Sequence, residues 1–419
     1  MQLNPNFFLC NSGISNAVDT LNFPRHRWYY YKEGFSPTLV EKAIDSSGIK
    51  KTDIILDPFN GSGTTTLTSA LNGFKSIGIE VNPFTSFLSQ SKINNVKISE
   101  FHKKKDRILE KAYMGKESSL KGFSTFSKTA DIDKWLFNDS VLDTFAGGWS
   151  ASVKIENLDL RQVIQLALIV SAMQNCNATR DGKCLRYRDS WQNNIYSKDT
   201  FLSSLQSNLD LMIEDMEKFP IPEQPTILTG DARTILSNNN IEKFKLCITS
   251  PPYLNTFDYT DIYRPELFLG QFVKSREDLY NLRLRTIRSH IQAKWDNPDI
   301  SNFGELYKNS ISHIIQHKKE LMHKRIPVMI QAYFEDMLNI LKQLRSKAGK
   351  NAQLWMVVSN SAYADKEIQV DLIIAEMASL ANWQLKEVGV LRNIKRRKTK
   401  HSPHINTLRE SVIILNAGR

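Results

Sequence analysis

Apolar residues along this chain fall into two kinds of pattern. Ile54, Ile55 and Leu56 form a continuous apolar run with no polar alternation, as expected of a strand buried on both faces of a parallel sheet. The run PTLVEKAIDSSG before it reads as a short helix closed by Gly48. After it come a tight loop from Pro58 to Gly63, a helix opening at TTTLTSALNGF, and a second buried strand, SIGIEVNP, with Glu80 at its end. Together these predict one βαβ unit. From about Phe84 to Pro222 the pattern turns helical, most clearly where Leu202, Leu205, Leu209, Met212 or Ile213, and Met216 share one helix face. The sheet pattern returns in PTILTGD, FKLCITSPPY, LWMVVSNSAY, WQLKEVGVL and ESVIIL, with a second insertion at roughly Gln271 to Ile326.

This spacing predicts an interrupted α/β domain. Residues 1–83 hold an N-terminal segment and a first ligand-binding part, and residues 84–222 a helical insertion. Residues 223–270 hold a second ligand-facing part, 271–326 a second helical insertion, and 327–419 the C-terminal strands with a basic loop at 392–400. In that loop six of nine residues are basic (RNIKRRKTK), and it is expected to be exposed.

Composition narrows the class. Hydrophobic residues make up 41% and charged residues 24% of 419 residues, a globular balance that excludes wholesale disorder. A net charge of +11 favours polyanionic partners such as nucleic acid, although a generally basic surface gives the same sum. Cys10, Cys176, Cys184 and Cys247 lie far apart with no C-x-x-C pair. Reduced thiols in a cytoplasm are therefore expected, and no metal site is predicted. The start MQLNPNFFLCNSG lacks a cationic region followed by a long apolar one, and the most apolar stretch, Leu166 to Met173, is too short for a bilayer. Neither secretion nor a membrane span is expected.

The chemistry concentrates in two loops. Asp57-Pro58-Phe59-Asn60-Gly61-Ser62-Gly63-Thr64-Thr65 lies between a buried strand and a helix, where glycines let the backbone approach a ligand closely. Glu80 ends the next strand, 23 positions after Asp57. There a carboxylate can accept from both hydroxyls of a ribose, which points to a nucleoside-bearing ligand. The loop lacks a Gly-Lys-Ser/Thr ending and begins with an acid, which suits a cationic ligand better than a phosphate. Asp231, ending a third strand in TGDA, can meet an adenine amino group, and it equally fits a helix N-cap. In Thr249-Ser250-Pro251-Pro252-Tyr253 the prolines freeze the backbone and expose carbonyls. The Ser250 hydroxyl and the Pro251 carbonyl can accept from an exocyclic NH2, aiming its lone pair at a methyl donor, while Tyr253 stacks on the base. A plain turn after a strand reads the same way in isolation.

In combination these residues resemble the S-adenosylmethionine-dependent DNA methyltransferases that modify exocyclic amines of adenine or cytosine. The resemblance covers residues 23–83, 223–270 and, more loosely, 328–419, about half the chain. It implies a class I methyltransferase fold, Rossmann-like, with a doubly wound, mainly parallel seven-stranded sheet and helical insertions. It assigns the cofactor's methionine part to Asp57 through Thr65 and its ribose to Glu80, and Asn82 and Asp231 join the cofactor-binding set. Phe35-Ser36-Pro37 looks like the family's accessory cofactor segment. Ser250, Pro251, Pro252 and Tyr253 match its catalytic loop, in the serine form more typical of cytosine-N4 than of adenine-N6 enzymes. The expected reaction is methyl transfer to a base of double-stranded DNA by base flipping, in a prokaryotic restriction-modification or phage-defence setting, with a cognate endonuclease as a further partner. An adenine-N6 enzyme, an RNA methyltransferase and a catalytically silent DNA-binding subunit are the alternatives.

For the grip on DNA the first expectation is Arg180, Lys183, Arg186 and Arg188 with Tyr187 among them, and the second is the loop Lys395, Arg396, Arg397 and Lys398. Arg283, Arg285 and Arg288 in the second insertion rank third, since Leu282, Leu284 and Ile287 beside them suggest amphipathic packing. The aromatic run Trp28 to Tyr31 reads either as a wall of the pocket or as core.

Overall fold

The computed structural model describes residues 3–7, 17–181, 184–238, 240–395 and 401–418. The chain opens with the two-residue strand β1 (Leu3–Asn4) and helix α1 (Pro37–Ser47). Ser36 caps α1 by accepting from the Thr38 amide, Pro37 takes the first turn, and Gly48 closes the helix at φ 62°. Strand β2 (Ile54–Asp57), helix α2 (Thr64–Leu71) and strand β3 (Lys75–Glu80) form the βαβ unit, and all four residues of β2 are buried. A helical region follows: α3 (Pro83–Ile93), α4 (Ile98–Met114), α5 (Asp139–Ser152), α6 (Leu158–Gln174), the ribbon β4 (Ala178–Asp181) and β5 (Cys184–Tyr187), and α7 (Lys198–Lys218). On α7 the face read from the sequence is buried at Leu205, Leu209, Met212, Ile213 and Met216, against the same core as Phe101, Leu142 and Leu168.

The sheet resumes with β6 (Thr226–Thr229), the short helix α8 (Ala232–Ile235) and β7 (Phe244–Thr249). Four helices follow, α9 (Tyr259–Ile262), α10 (Arg264–Leu269), α11 (Arg276–Arg285) and α12 (Glu305–Gln316), and then the long α13 (Ile326–Lys347). The chain ends with β8 (Ala348–Ser359), a small hairpin of β9 (Ser361–Tyr363) and β10 (Lys366–Ile368), helix α14 (Val370–Met377), β11 (Gln384–Lys395) and β12 (Thr407–Asn416). Residues of the second insertion, Ile287, Phe303, Tyr307 and Ile314, share the core of α13 and the sheet.

The main sheet has the order β1-β11-β12-β8-β7-β2-β3-β6. The strands from β8 to β6 run parallel, while β12 is antiparallel to both β8 and β11. This is the expected doubly wound, Rossmann-like class I methyltransferase fold, with one difference. An eighth strand, β1, pairs with the edge of β11 at Leu3 and Asn4, and two residues leave no periodicity for a sequence to show. From β2 the chain winds outward through β3 and β6, then returns to place β7 on the other side of β2. The crevice at such a reversal, beyond the carboxyl ends of the strands, is where doubly wound sheets bind ligands. Here Asp57 and Thr249 end the two strands flanking the reversal, and the Thr249 hydroxyl donates to Asp57 Oδ1 at 2.7 Å.

Two expectations about charge need correction. Arg392 to Lys395 belong to β11, not to an exposed loop, and the Arg392 guanidinium pairs with Glu410 on β12. Arg396, Arg397 and Lys398 lie outside the described residues, as does Lys183. Arg180 does not face solvent: its side chain is 16% exposed and forms an ion pair with the fully buried Glu266. A guanidinium spent on a buried carboxylate is a structural tie between the β4–β5 ribbon and α10, not a hand on a phosphate.

Candidate active site

The crevice opens into a cavity of about 330 Å³. Its floor comes from the loop after β2, where Asp57, Pro58, Phe59, Asn60, Gly61 and Ser62 all line it, with Thr64 behind them. Gly61 and Gly63 hold φ of 51° and 84°, the left-handed region in which a side chain costs about 1–2 kcal/mol. At Gly63 a Cβ would also stand 2.8 Å from Ser89 Cβ of α3, so the loop can pack against that helix only as glycine. Gly63 and Thr65 support the cavity from behind. The Thr65 hydroxyl donates to the Ile248 carbonyl of β7 at 3.1 Å, tying α2 to the strand that carries the second loop.

Asp57 is buried and its carboxyl is pushed up to about 6 by desolvation, against the pull of the Thr249 and Thr65 hydroxyls and the Phe59 amide. A positive ligand beside it would favour its ionised form. Glu80 is raised by burial as well, and its carboxylate holds the loop: Oε2 accepts from the Gly61 amide at 2.7 Å and Oε1 from the Asn82 amide at 2.8 Å. Each oxygen keeps a further lone pair for a hydroxyl. Asn82 caps α3 through its side chain, accepting from the Phe84 amide at 3.0 Å, and lines the cavity too. Asp231 also lines the cavity and at the same time caps α8, accepting from the Arg233 amide at 2.9 Å. The helix-cap reading of Asp231 is met in geometry, and its carboxylate also pairs with the Arg233 guanidinium at 2.7 Å.

Phe35 lines the opposite wall, whereas Ser36 and Pro37 serve the start of α1. Of the aromatic run, Tyr31 reaches the cavity and stacks on Tyr263 with ring centroids 5.3 Å apart. Trp28 and Tyr29 are core, and Trp28 donates to the buried Asp215 at 2.9 Å.

Ser250, Pro251, Pro252 and Tyr253 follow β7 and face the same cavity. Ser250 Oγ donates to the Tyr253 hydroxyl at 3.5 Å, and that hydroxyl donates to Glu410 Oε1 at 3.0 Å. Glu410 is held in turn by Arg392 Nε at 2.6 Å. A Ser250 hydroxyl that donates along this chain keeps both lone pairs for the cavity as acceptors. Glu410 and Arg392 were not among the residues read from the sequence. The only trace of Glu410 is an acid at the head of the apolar run SVIIL, and nothing local connects it to a loop 157 residues earlier.

Among the residues expected to meet DNA, Arg186 is exposed beside Asp181 at 2.9 Å, and Arg188 Nε donates to the Cys176 carbonyl at 3.0 Å. Lys395 is exposed at the end of β11. None of these lines the cavity. Among the described residues no helix is long and apolar enough to cross a membrane.

The cavity fits the cofactor that the resemblance implies. Its acids, Asp57 and Glu80, suit a cationic, ribose-bearing molecule, and Asn60 Nδ2 is buried there without a hydrogen-bond partner, a donor left to a ligand or water.

A family model described as DNA methylase matches residues 14–90, the stretch that carries the first loop and Glu80. Type II methyltransferase M.AvaI of Nostoc sp. is 25% identical, the match spanning 88% of this chain and 81% of the relative. M.BsoBI of Geobacillus stearothermophilus is 26% identical over 93% of this chain and 85% of its own, and M.MvaI of Kocuria varians 23% identical over 93% and 90%. Superpositions on solved structures are loose: TrmN from Thermus thermophilus covers 94% of this chain and 52% of its own with 8% identity and a TM-score of 0.32, so the fold rests on the strand order above. With Type II methyltransferases matching it along most of its length, the chain is similar to the DNA amino-methyltransferases, and it is a DNA methyltransferase whose methyl donor is S-adenosylmethionine.

Proposed function

We propose that this enzyme methylates the exocyclic N4 of cytosine at specific sites in double-stranded DNA, in the cytoplasm of a prokaryote and alongside a cognate restriction endonuclease. The observation that carries the base choice is Ser250 at the head of the catalytic loop, with its proton drawn toward Tyr253 and Glu410. In this reading the target cytosine leaves the duplex and stacks on Tyr253. Ser250 Oγ and the Pro251 carbonyl accept the two N–H bonds of its amine, holding the nitrogen lone pair free for attack. S-adenosylmethionine supplies an electrophilic methyl on a sulfonium, whose loss leaves a neutral thioether. As the new N–C bond forms the amine becomes cationic, and Ser250, backed by the carboxylate of Glu410, faces that charge until a proton leaves to water.

In the same reading Asp57 through Thr65, with Phe35, Glu80, Asn82 and Asp231, hold the cofactor. Ser36 and Pro37 set the start of α1, from which Phe35 is presented. Recognition of the DNA sequence is assigned to the helical insertion at 84–222, where Arg186 is exposed.

A Tyr253→Ala variant tests the loop. Calorimetry should show cofactor affinity within about twofold of the parent, while transfer to DNA falls by roughly 10- to 100-fold, the worth of one stacked base. Unchanged turnover would remove Tyr253 from the reaction.

A further inference from the structure

We propose that Arg285, assisted by Lys32 across the cleft, binds the phosphates that flank the extruded nucleotide. Both side chains line the cavity and both residues are exposed at its mouth. They come from segments far apart in the chain, one in the second insertion and one just before α1. The inference rests on the reading above, that the substrate is a base swung out of duplex DNA.

Three arginines crowd this part of the second insertion, and their surroundings separate them. Arg283 Nε donates to Asp258 at 2.6 Å. Arg288 is paired with both Glu335 and Asp336 of α13, at 2.6 and 2.8 Å. Arg285, between them, has no side-chain hydrogen bond or ion pair among the described residues, and Lys32 has none either, its ammonium acting only through space on the neighbouring Glu33. The backbone under Arg285 is nevertheless fixed. Arg233 Nη2 donates to the Arg285 carbonyl at 3.1 Å and to the Thr286 carbonyl at 3.3 Å, while Arg233 Nη1 is anchored on Asp336 at 3.0 Å. Four residues on, the Ser289 carbonyl accepts from the Thr256 amide at 3.1 Å, joining this wall to the loop that follows Tyr253. Arg285 is thus an unspent guanidinium on a rigid platform beside the catalytic loop.

The charge distribution gives it its ligand. The cavity wall carries Asp57, Glu80, Asp231, Glu33 and Glu410, which favour a cation and repel a phosphate. A flipped nucleotide enters base first and leaves its two flanking phosphates at the mouth, where the unpaired cations stand. A guanidinium can take a phosphate in a bidentate fashion, and an ammonium can neutralise the second as a point charge.

The test follows methylation of unmethylated, amplified genomic DNA, a mixed-sequence duplex rich in sites, as a function of salt. The slope of log kcat/KM against log salt concentration should fall by about one for Arg285→Gln and by about two for Arg285→Gln with Lys32→Gln. KM for DNA should rise roughly tenfold for Arg285→Gln with kcat retained, Arg285→Lys should recover part of it, and cofactor affinity should be unchanged. Lys350→Gln, which removes an exposed charge from the amino end of β8, at the opposite edge of the sheet from the cavity, should leave the slope as it is. Wild-type methylation with an unaltered slope in Arg285→Gln would overturn the clamp alone. Loss of cofactor binding in Arg285→Gln would overturn it by assigning the residue to the cofactor. A wild-type protein that leaves DNA unmethylated would overturn the clamp together with the reading beneath it.

Discussion

Replacing Arg180 by alanine should unfold this protein more readily before it affects any grip on DNA. Arg180 Nη2 donates to the Tyr29 hydroxyl at 2.6 Å and pairs with Glu266, whose side chain is fully buried, and its guanidinium lies 4.5 Å from the Tyr263 ring centroid. The Tyr29 hydroxyl itself donates to Glu266 at 2.7 Å. Truncation therefore strands a buried carboxylate that keeps only a phenol as partner. Removing one member of such a pair costs about 3–5 kcal/mol, a large share of the roughly 5–15 kcal/mol that holds a domain folded. Urea unfolding followed by tryptophan fluorescence measures the loss. A paired change, Arg180→Met with Glu266→Leu, should recover most of it, because the desolvation of two charges disappears with them. A stability within about 0.5 kcal/mol of the parent in Arg180→Ala, together with weakened DNA binding, would refute the burial argument and return Arg180 to the DNA interface.

Two further outcomes follow from the loop after β2 and the helix packed against it. Gly63→Ala puts a Cβ 2.8 Å from Ser89 Cβ at φ 84°, so it should cost about 1–3 kcal/mol of stability and weaken S-adenosylmethionine binding at least tenfold in calorimetry; unchanged affinity would contradict the loop's role. Lys92 is 1% exposed and its ammonium is lowered to about 7 by burial. Between about 7 and 10.5 the unfolded chain binds the extra proton, so this group makes the native state gain about 1.4 kcal/mol per pH unit as pH rises through that window. Lys92→Met should flatten the stability profile between about pH 7.5 and 9.5 by that slope, and parallel profiles would contradict it.

The parts legible in the sequence are those whose signal is local. The β2–loop–α2–β3 unit announces itself because Ile54 to Leu56 must be apolar on both faces and because Gly63 has no room for a side chain. The Ser250 to Tyr253 loop announces itself through its two prolines. What stayed hidden depends on pairs joined only by folding. Glu410 reaches Tyr253 because β12 inserts between β8 and β11, and no spacing in the chain encodes that neighbour. Arg180 and Arg392 look alike in sequence, basic residues among basic residues, yet each is claimed by a distant buried carboxylate. Asp215 is one of five acids on an amphipathic helix, and it gathers the Arg25 amide, the Arg27 guanidinium and the Trp28 indole into one buried hub. In each case a charge pattern was visible, but burial, which decides whether a charge meets solvent or a partner, is a property of the packed molecule.

Methyl transfer to cytosine N4 in DNA is the proposed reaction. Incubating the protein with S-adenosylmethionine and mixed-sequence duplex DNA, digesting to nucleosides and identifying the product by mass spectrometry tests it directly. N4-methylcytosine is the predicted product; N6-methyladenine would contradict the role given to Ser250 while leaving the fold and donor in place, and an absence of any methylated base in DNA would contradict DNA as the substrate.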